Sequence, residues 1–450
     1  MNDQRAAEDA PTLVVGGGIG GLTLAFRLAT SGRAVRLIEP AERPGGAITT
    51  DVSNGWTFEL GPNTVVAGEP AIDALIEDAG LSGELLTADR VGARRFVVRN
   101  GRMIALPRSP LEFVRSPILS PAGRLRLLAE PLVPRRRSSG EESIADFIRR
   151  RLGGEALDWL AAPFVSGVYA GDASRLSVRH ALPRLAAWEA DHGSLFRGMI
   201  AARRQGGAPR GAKLVSFQGG LATLPRRLAD RLGDRIIRGT VDTLHRQGEA
   251  WIAGCSLPDG STRTISARRV VLAVSAAQAA RLLDEPELAN LPVAGVRVAA
   301  FGFKRQDVAH PLDGFGVLVP RREGRRLLGA LFPSSLFPGR APDGFVGITA
   351  MAGGVNDPAV LALAADEFVA HVLGELGRLL GISAPPVHVI TRSWREAIPQ
   401  YELGHQRWLD LAERCERDRP GLHLLGSWRG GVSVPDRIRA ATELAAHLSR

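Results

Sequence analysis

Three glycines, Gly16, Gly18 and Gly21, stand in G-x-G-x-x-G spacing directly after an apolar strand-like run at 12–15 and at the head of a helix-like run. That spacing in that context suits a dinucleotide. Gly16 permits the tight turn, Gly18 lets the backbone approach a pyrophosphate, and Gly21 allows helix and strand to pack closely, with Gly20 in the same turn. The helix N-terminus favours the negative charge. Glu39 ends the next strand, where its carboxylate can accept hydrogen bonds from a ribose diol and repel a 2′-phosphate. Arg43, Gly45 and Gly46 follow as E-x-x-x-R-x-G-G. The arginine can offset pyrophosphate charge while the two glycines bring a second backbone segment against the ligand.

The far end of the chain offers a second glycine-rich turn, Gly426-Ser427-Trp428-Arg429-Gly430-Gly431-Val432, before the last helix. Backbone N–H groups there can hold a ring edge whose negative charge grows on reduction. No Ser/His/Asp, Cys/His or paired-carboxylate set stands out, and His180, His192 and His405 read as structural. Cys255 and Cys415 are far apart and lack metal-ligand spacing, so neither a zinc site nor a disulfide framework is expected.

These residues need elements to carry them. A strand at 12–15, a helix at 20–30 and a strand at 34–38 make a compact βαβ unit. A hairpin is expected at 96–98 and 103–105 around Asn100-Gly101. From 121 to 204 the pattern turns helical, with helices at 141–151, 155–160, 178–188 and 194–204. After a Gly/Arg-rich joint at 205–212, short strands are expected at 235–237, 240–244, 250–257, 262–266 and 270–274. Further strands follow at 296–303, 316–319, 327–332 and 345–350, then helices at 358–380 and 432–449.

The 450 residues suffice for about three domains, and 45% hydrophobic with 23% charged residues is a globular composition. The formal charge of +10 is nearly all arginine, since Lys213 and Lys304 are the only lysines. No zinc spacing or basic helical arm accompanies it, which argues against a nucleic-acid partner. The N-terminus lacks the pattern of a secretory signal. The longest uncharged run, 159–171, is too short and too rich in Gly and Pro to span a bilayer.

The E-x-x-x-R-x-G-G run and the closing turn resemble the flavin-binding parts of the amine oxidase and porphyrinogen oxidase superfamily. The resemblance narrows to the protoporphyrinogen oxidase family over nearly the whole chain. It is carried by Phe58-Glu59-Leu60-Gly61-Pro62-Asn63-Thr64, Arg95 to Gly101, Pro163 to Asp172 (P-F-V-S-G-V-Y-A-G-D), His192-Gly193-Ser194, Phe217 to Leu224 and Trp394 to His405 (W-R-E-A-I-P-Q-Y-E-L-G-H).

The resemblance implies an α/β fold. Its Rossmann-like FAD-binding domain is assembled from segments 1–90, 205–280 and 418–450, with an α+β substrate domain at 281–417 and a helical membrane-associated insert at 91–204. It implies FAD as cofactor, held by Gly16, Gly18, Gly20, Gly21, Glu39, Arg43, Gly45, Gly46, Gly61, Pro62, Asn63, Val241, Trp394, Gly426 and Val432. Arg95 is implied to pair with a substrate propionate, a planar fork suiting a carboxylate; Arg94 and Arg99 compete for that role. Leu318 and Leu331 match residues packing on a pyrrole ring, and Met351 falls where many members have phenylalanine. Asn63 and the loop from Gly167 to Gly171 are expected beside flavin and substrate.

The implied reaction removes six electrons from a porphyrinogen in three two-electron steps, with hydride passing to flavin N5 and O2 reoxidising the cofactor. Pyrroles flanking the bridge carbon stabilise the cation, so no catalytic side chain is required. Protoporphyrinogen IX and coproporphyrinogen III both fit as substrates, with an amine oxidase or carotenoid-type desaturase as a remoter reading. The implied setting is cytoplasmic, with a homodimer and a downstream chelatase as partners. In the insert, Leu111, Phe113, Val114, Ile118, Leu119, Leu125, Leu127 and Leu128 lie among Arg115, Arg124, Arg126 and Arg135 to Arg137. A face dipping into an anionic inner leaflet and a buried helix pair with a solvated rim both fit that pattern.

Overall fold

The protein is described by a computed structural model covering residues 11–136, 140–204 and 213–450; the joint at 205–212, Arg137 and the first ten residues lie outside the described part. Thr12–Val15 is buried on both faces, the mark of a central parallel strand. It pairs in parallel with Val35–Glu39 on one side and Arg269–Leu272 on the other. Ile236–Arg238 and Leu422–Leu424 complete the parallel sheet at its two edges. The chain runs outward from Thr12–Val15 in one direction and later returns to its other side. Such a reversal leaves a crevice beyond the carboxyl ends of the strands.

Helices Ile19–Thr30, Thr223–Leu232 and Val434–Leu448 cover one face of this sheet through Leu22, Leu28, Leu228 and Ile438. The other face is covered by the antiparallel strands Thr240–Gln247, Ala250–Ser256 and Thr262–Ala267 with helices Ala276–Leu283 and Gln406–Asp418.

A second sheet runs in the order His388–Pro399, Val293–Lys304, Phe345–Gly353, Leu327–Leu331, Gly316–Leu318, Phe96–Arg99 and Arg102–Ala105. Helix Ala365–Leu380 covers one face, packing Phe368, Val372 and Leu376 on Phe301, Ile348 and Ala350. The hairpin at the head of the helical segment therefore forms an edge of this sheet. The opposite edge, His388–Pro399, is not predicted as a strand from sequence, because Arg392, Arg395 and Glu396 interrupt its alternation.

The helical segment departs from its expected boundaries at its prolines. Pro183 opens a new helix and divides the expected 178–188 run into Val178–Ala181 and Pro183–His192. Ahead of Pro163, which has no N–H to donate four residues back, the helix widens to a π turn at Leu157–Ala161. Its interior is partly ionic. Arg151, wholly buried, pairs with Glu130 and donates to the Gly193 carbonyl at 2.9 Å, while the Ser194 hydroxyl donates to Glu130 at 2.6 Å. His192-Gly193-Ser194 is thus a joint between helices, with Gly193 left-handed at φ 68°.

Of the eight apolar residues named in the helical segment, Ile118 and Leu119 are buried and pack under Val97. Arg124 and Arg126 also turn inward, donating to the carbonyls of Leu119 and Val114 and of Arg150 and Arg151.

One buried network joins the hairpin Thr50–Ser53 and Trp56–Glu59 to strand Leu214–Phe217 and to the turn before Phe345–Gly353. Glu59 and Arg340, each 2% exposed, approach to 3.7 Å. The Thr50 hydroxyl and the Leu221 N–H donate to Glu59 at 2.6 and 2.8 Å, and Arg340 donates to the Ser216 hydroxyl at 2.6 Å. Burial pushes the Glu59 carboxyl up from 4.5 to about 7, opposed in part by those hydrogen bonds and the Arg340 charge. The folded protein therefore keeps a proton that the unfolded chain releases at lower pH. The stabilisation it represents is complete below about pH 4.5 and is lost as pH rises through about 7. We expect urea-unfolding stability to fall by up to roughly 3 kcal/mol from this group between about pH 5 and about pH 8. Glu59→Gln should flatten that part of the profile; equal slopes in variant and parent would contradict the assignment.

Candidate active site

The first βαβ turn closes on itself through missing side chains. Gly16 has φ 105°, and a Cβ there would overlap the Ala273 carbonyl oxygen across the crevice. A Cβ at Gly21 would overlap the Gly16 carbonyl oxygen. Gly18 differs: its Cβ position faces no atom within 4 Å, leaving open space where the helix begins. Gly20 faces Leu425 and Arg437 at ordinary contact distance, so its neighbour is the closing helix. Glu39 is oriented by the backbone, accepting the Gly17 and Ala41 N–H groups at 2.5 and 2.9 Å.

The E-x-x-x-R-x-G-G segment lies against this turn. Gly45 donates to the Gly17 carbonyl at 2.8 Å and bridges to Gly18, while a Cβ at Gly46 would stand 3.0 Å from Gly18 Cα. Arg43 is exposed and has no ion pair among the described residues. Gly61 packs directly on Ala47, and Pro62 follows half-buried. Asn63 donates to the Gly61 carbonyl at 2.9 Å, yet its buried Oδ1 has no hydrogen-bond partner among the described residues. Val241 lies just past Arg238, which pairs with Glu39, but its side chain is buried in the core behind the sheet. At the crevice's other side Gly426 stands two residues past the strand end at Leu424, and Val432 packs half-buried near Tyr401.

The second sheet turns one face toward these segments. Cross-strand partners share a face, and Val97, Leu318, Gly329, Met351, Val298 and Arg392 lie in register across it. Leu331, paired with Gly316 and Thr349, occupies the adjoining row. Trp394 is opposite Val296, and its indole N–H donates to the Leu60 carbonyl at 2.6 Å, tying the sheet to the Gly61-Pro62-Asn63 segment. Gly167 is in the last turn of helix Ala162–Tyr169 rather than in a loop, and a side chain there would overlap Leu318.

Arg95 precedes Val97 by two residues and shares its side of the strand; its carbonyl accepts the Leu106 N–H at 2.8 Å. Arg94 is paired with Asp313, and Arg99 donates to the Pro117 and Ile118 carbonyls while lying 4.9 Å over Trp159. The Arg95 guanidinium lies 5.5 Å over Phe315 and has no ion pair or hydrogen bond among the described residues. It is the one of the three left free to meet an anion.

A family profile described as flavin-containing amine oxidoreductase matches residues 19–449. The chain belongs to that family. It is 31% identical over 473 residues to protoporphyrinogen oxidase 2, chloroplastic/mitochondrial, of Arabidopsis thaliana, covering 96% of this chain and 92% of that protein. It is 27% identical over 452 residues to coproporphyrinogen III oxidase of Bacillus subtilis (strain 168), covering 95% of each. Its fold matches a crystal structure from Exiguobacterium sp. 255-15, provisionally identified as a protoporphyrinogen oxidase, with a TM-score of 0.84, 24% identity and 98% of each chain covered.

As a flavin amine oxidoreductase the chain is an FAD-dependent oxidoreductase. The open space at Gly18 and the unpartnered Asn63 Oδ1 fit such a group. Phe315, which carries Arg95, and Tyr401 and Arg437 beneath the closing turn have no role predicted from sequence. Arg437 had left a signal: an arginine in the first turn of a helix opposes the macrodipole and needs a reason. The two glycines predict different failures. Gly18→Val should leave the apoprotein's thermal stability unchanged while cutting FAD occupancy at least tenfold; Gly21→Val should lower apoprotein stability itself, by about 2 kcal/mol or more. Calorimetry and absorbance of the purified variants distinguish these outcomes, and normal FAD occupancy in Gly18→Val would disprove the first.

Proposed function

We propose that this chain oxidises a porphyrinogen to the porphyrin, with protoporphyrinogen IX as substrate and O2 as acceptor. The observation that carries the reading is Arg95, an unpaired guanidinium beside an apolar sheet face that reaches the Leu60–Gly61 segment through Trp394. The names of the Arabidopsis and Bacillus relatives support the same substrate class. FAD supplies the two-electron acceptor. In this reading Arg95 holds a propionate by a forked contact, and Phe315 keeps the guanidinium flat against the wall. Leu318, Leu331 and Met351 present an apolar wall to the ring, and Gly167 leaves room for Leu318. The side chains position and shield the substrate; a carbon flanked by pyrroles needs no strong base nearby.

One observation favours coproporphyrinogen III as the alternative substrate. Arg392 lies on the same face as Met351, its guanidinium 4.7 Å over Trp394, giving a second cation for a ring with more propionates. Porphyrin fluorescence with each porphyrinogen decides between them. We expect kcat/KM to be at least tenfold higher with protoporphyrinogen IX, and Arg95→Ala to raise KM roughly 10- to 100-fold with FAD content intact. Turnover of a polyamine with neither porphyrinogen oxidised would overturn the proposal.

The same reading includes peripheral attachment to an anionic inner leaflet in a cytoplasmic setting, a homodimer and hand-over to a downstream chelatase. Leu111, Val114, Leu125, Leu128 and Leu132 are exposed in the helical segment, near exposed Arg115 and Arg135, which supports the membrane contact. Among the described residues no helix is long and apolar enough to cross a membrane. Leu125→Asp with Leu128→Asp should reduce co-sedimentation with anionic vesicles several-fold and leave turnover of soluble substrate unchanged. Undiminished co-sedimentation would exclude this face.

A further inference from the structure

We propose that Tyr401, His405 and Arg437 are positioning residues that tune the reduction potential of the bound FAD by fixing the backbone of turn 426–432. This rests on the reading that the turn faces the cofactor's reducible ring.

Four consecutive carbonyls of the turn each accept a hydrogen bond from a buried side chain. Arg437 donates to Gly426 and Arg429, both at 2.6 Å; Tyr401 donates to Ser427 at 2.6 Å; His405 Nε2 meets the Trp428 carbonyl at 3.1 Å. A carbonyl only accepts, so His405 carries its proton on Nε2. The Tyr401 oxygen also accepts the Gly431 N–H at 2.8 Å, and its ring stacks on His405 at 4.4 Å. A trans peptide that turns its carbonyl one way turns its N–H the other. With these carbonyls drawn inward, the Ser427, Trp428 and Gly430 N–H groups are left to the opposite side of the turn, while the Arg429 N–H turns back to the Gly426 carbonyl and the Gly431 N–H to Tyr401. That surface suits a ring whose negative charge grows on reduction.

Burial keeps these contacts in one protonation state near neutral pH. It pushes the Tyr401 hydroxyl up to about 12, and together with neighbouring His180 it pulls His405 down to about 4. Arg437 is a buried cation in the first turn of Val434–Leu448, with Asp436, Arg439 and Tyr401 as its charged or titratable neighbours. Helix N-termini disfavour cations; two carbonyls facing this guanidinium account for its placement. The Trp394 to His405 segment thereby gains a second task. Trp394 anchors Leu60 on one side of the cleft, while Tyr401 and His405 hold the closing turn on the other.

The test measures the two-electron potential of bound FAD, its visible spectrum and its dissociation constant in the holoenzyme. Tyr401→Phe and His405→Leu are each expected to retain FAD but weaken retention of the reduced relative to the oxidised cofactor about tenfold, a fall of about 30 mV. His405→Gln keeps a donor where Nε2 stands and should stay near the parent potential. Gly431→Ala is the direct perturbation, since φ 109° and the Asp436 side chain exclude a methyl group there. If Gly431→Ala shifts potential or FAD affinity while Tyr401→Phe and His405→Leu do not, the positioning role is wrong. If Gly431→Ala changes neither, the turn does not face the ring, and the underlying reading falls with the proposal. Should Tyr401→Phe fail to fold, the Leu and Gln variants of His405 still decide the matter: equal potentials in the two overturn it.

Discussion

The close approach of backbone to backbone at Gly16 and Gly21 is the constraint on which the remaining site depends. Helix Ile19–Thr30 can start directly above the first strand only because residue 21 has no Cβ to strike the Gly16 carbonyl. That contact fixes the helix axis, and with it the open space at Gly18 where the helix N-terminus is exposed. The Gly45-Gly46 segment then docks on Gly17 and Gly18, and Gly61 docks on Ala47. Each step is a main-chain contact that a side chain would block. The cradle therefore consists largely of backbone, whose N–H and carbonyl groups are set by the fold rather than by rotamers.

The second sheet is joined to this cradle by polar contacts sheltered from water. Glu59 and Arg340 connect the Thr50–Ser53 and Trp56–Glu59 hairpin to the turn before Phe345–Gly353, and Trp394 connects the sheet edge to Leu60. Gln400, buried beside Gly171, donates to the Tyr169 carbonyl at 2.8 Å, so the I-P-Q-Y and G-V-Y-A-G-D segments interlock. Unpaired, such groups would carry a full desolvation penalty. The bonds they do make hold the parallel-sheet region and the apolar wall together, although the segments involved are hundreds of residues apart.

The βαβ unit, most strands of the second sheet and both glycine turns were legible because each rests on local pattern: spacing, alternation and breakers. Less legible were places where a neighbour overrules the pattern. Pro183 split an expected helix, and a π turn formed ahead of Pro163. His388–Pro399 hid its strand character under charges that an edge position tolerates. Pattern alone leaves Ile118 and Leu119 open between a surface face and a buried pair, and Val97, distant from the helix pattern, covers them.

By itself the sequence pointed to the kind of ligand, FAD, through the spacing of its glycines after a strand and an acid at the end of the next one. It also determined which segments carry the resemblance to a porphyrinogen-oxidising family. Only the tertiary structure separated Arg95 from Arg94 and Arg99, because each guanidinium's availability depends on Asp313, Pro117, Ile118 and Phe315, distant in sequence or across a turn. Likewise, nothing local to Tyr401, His405 or Arg437 specifies the four carbonyls they meet. Spacing encodes what neighbouring backbone can do, whereas the partners of a long buried side chain are chosen by strand register and helix packing.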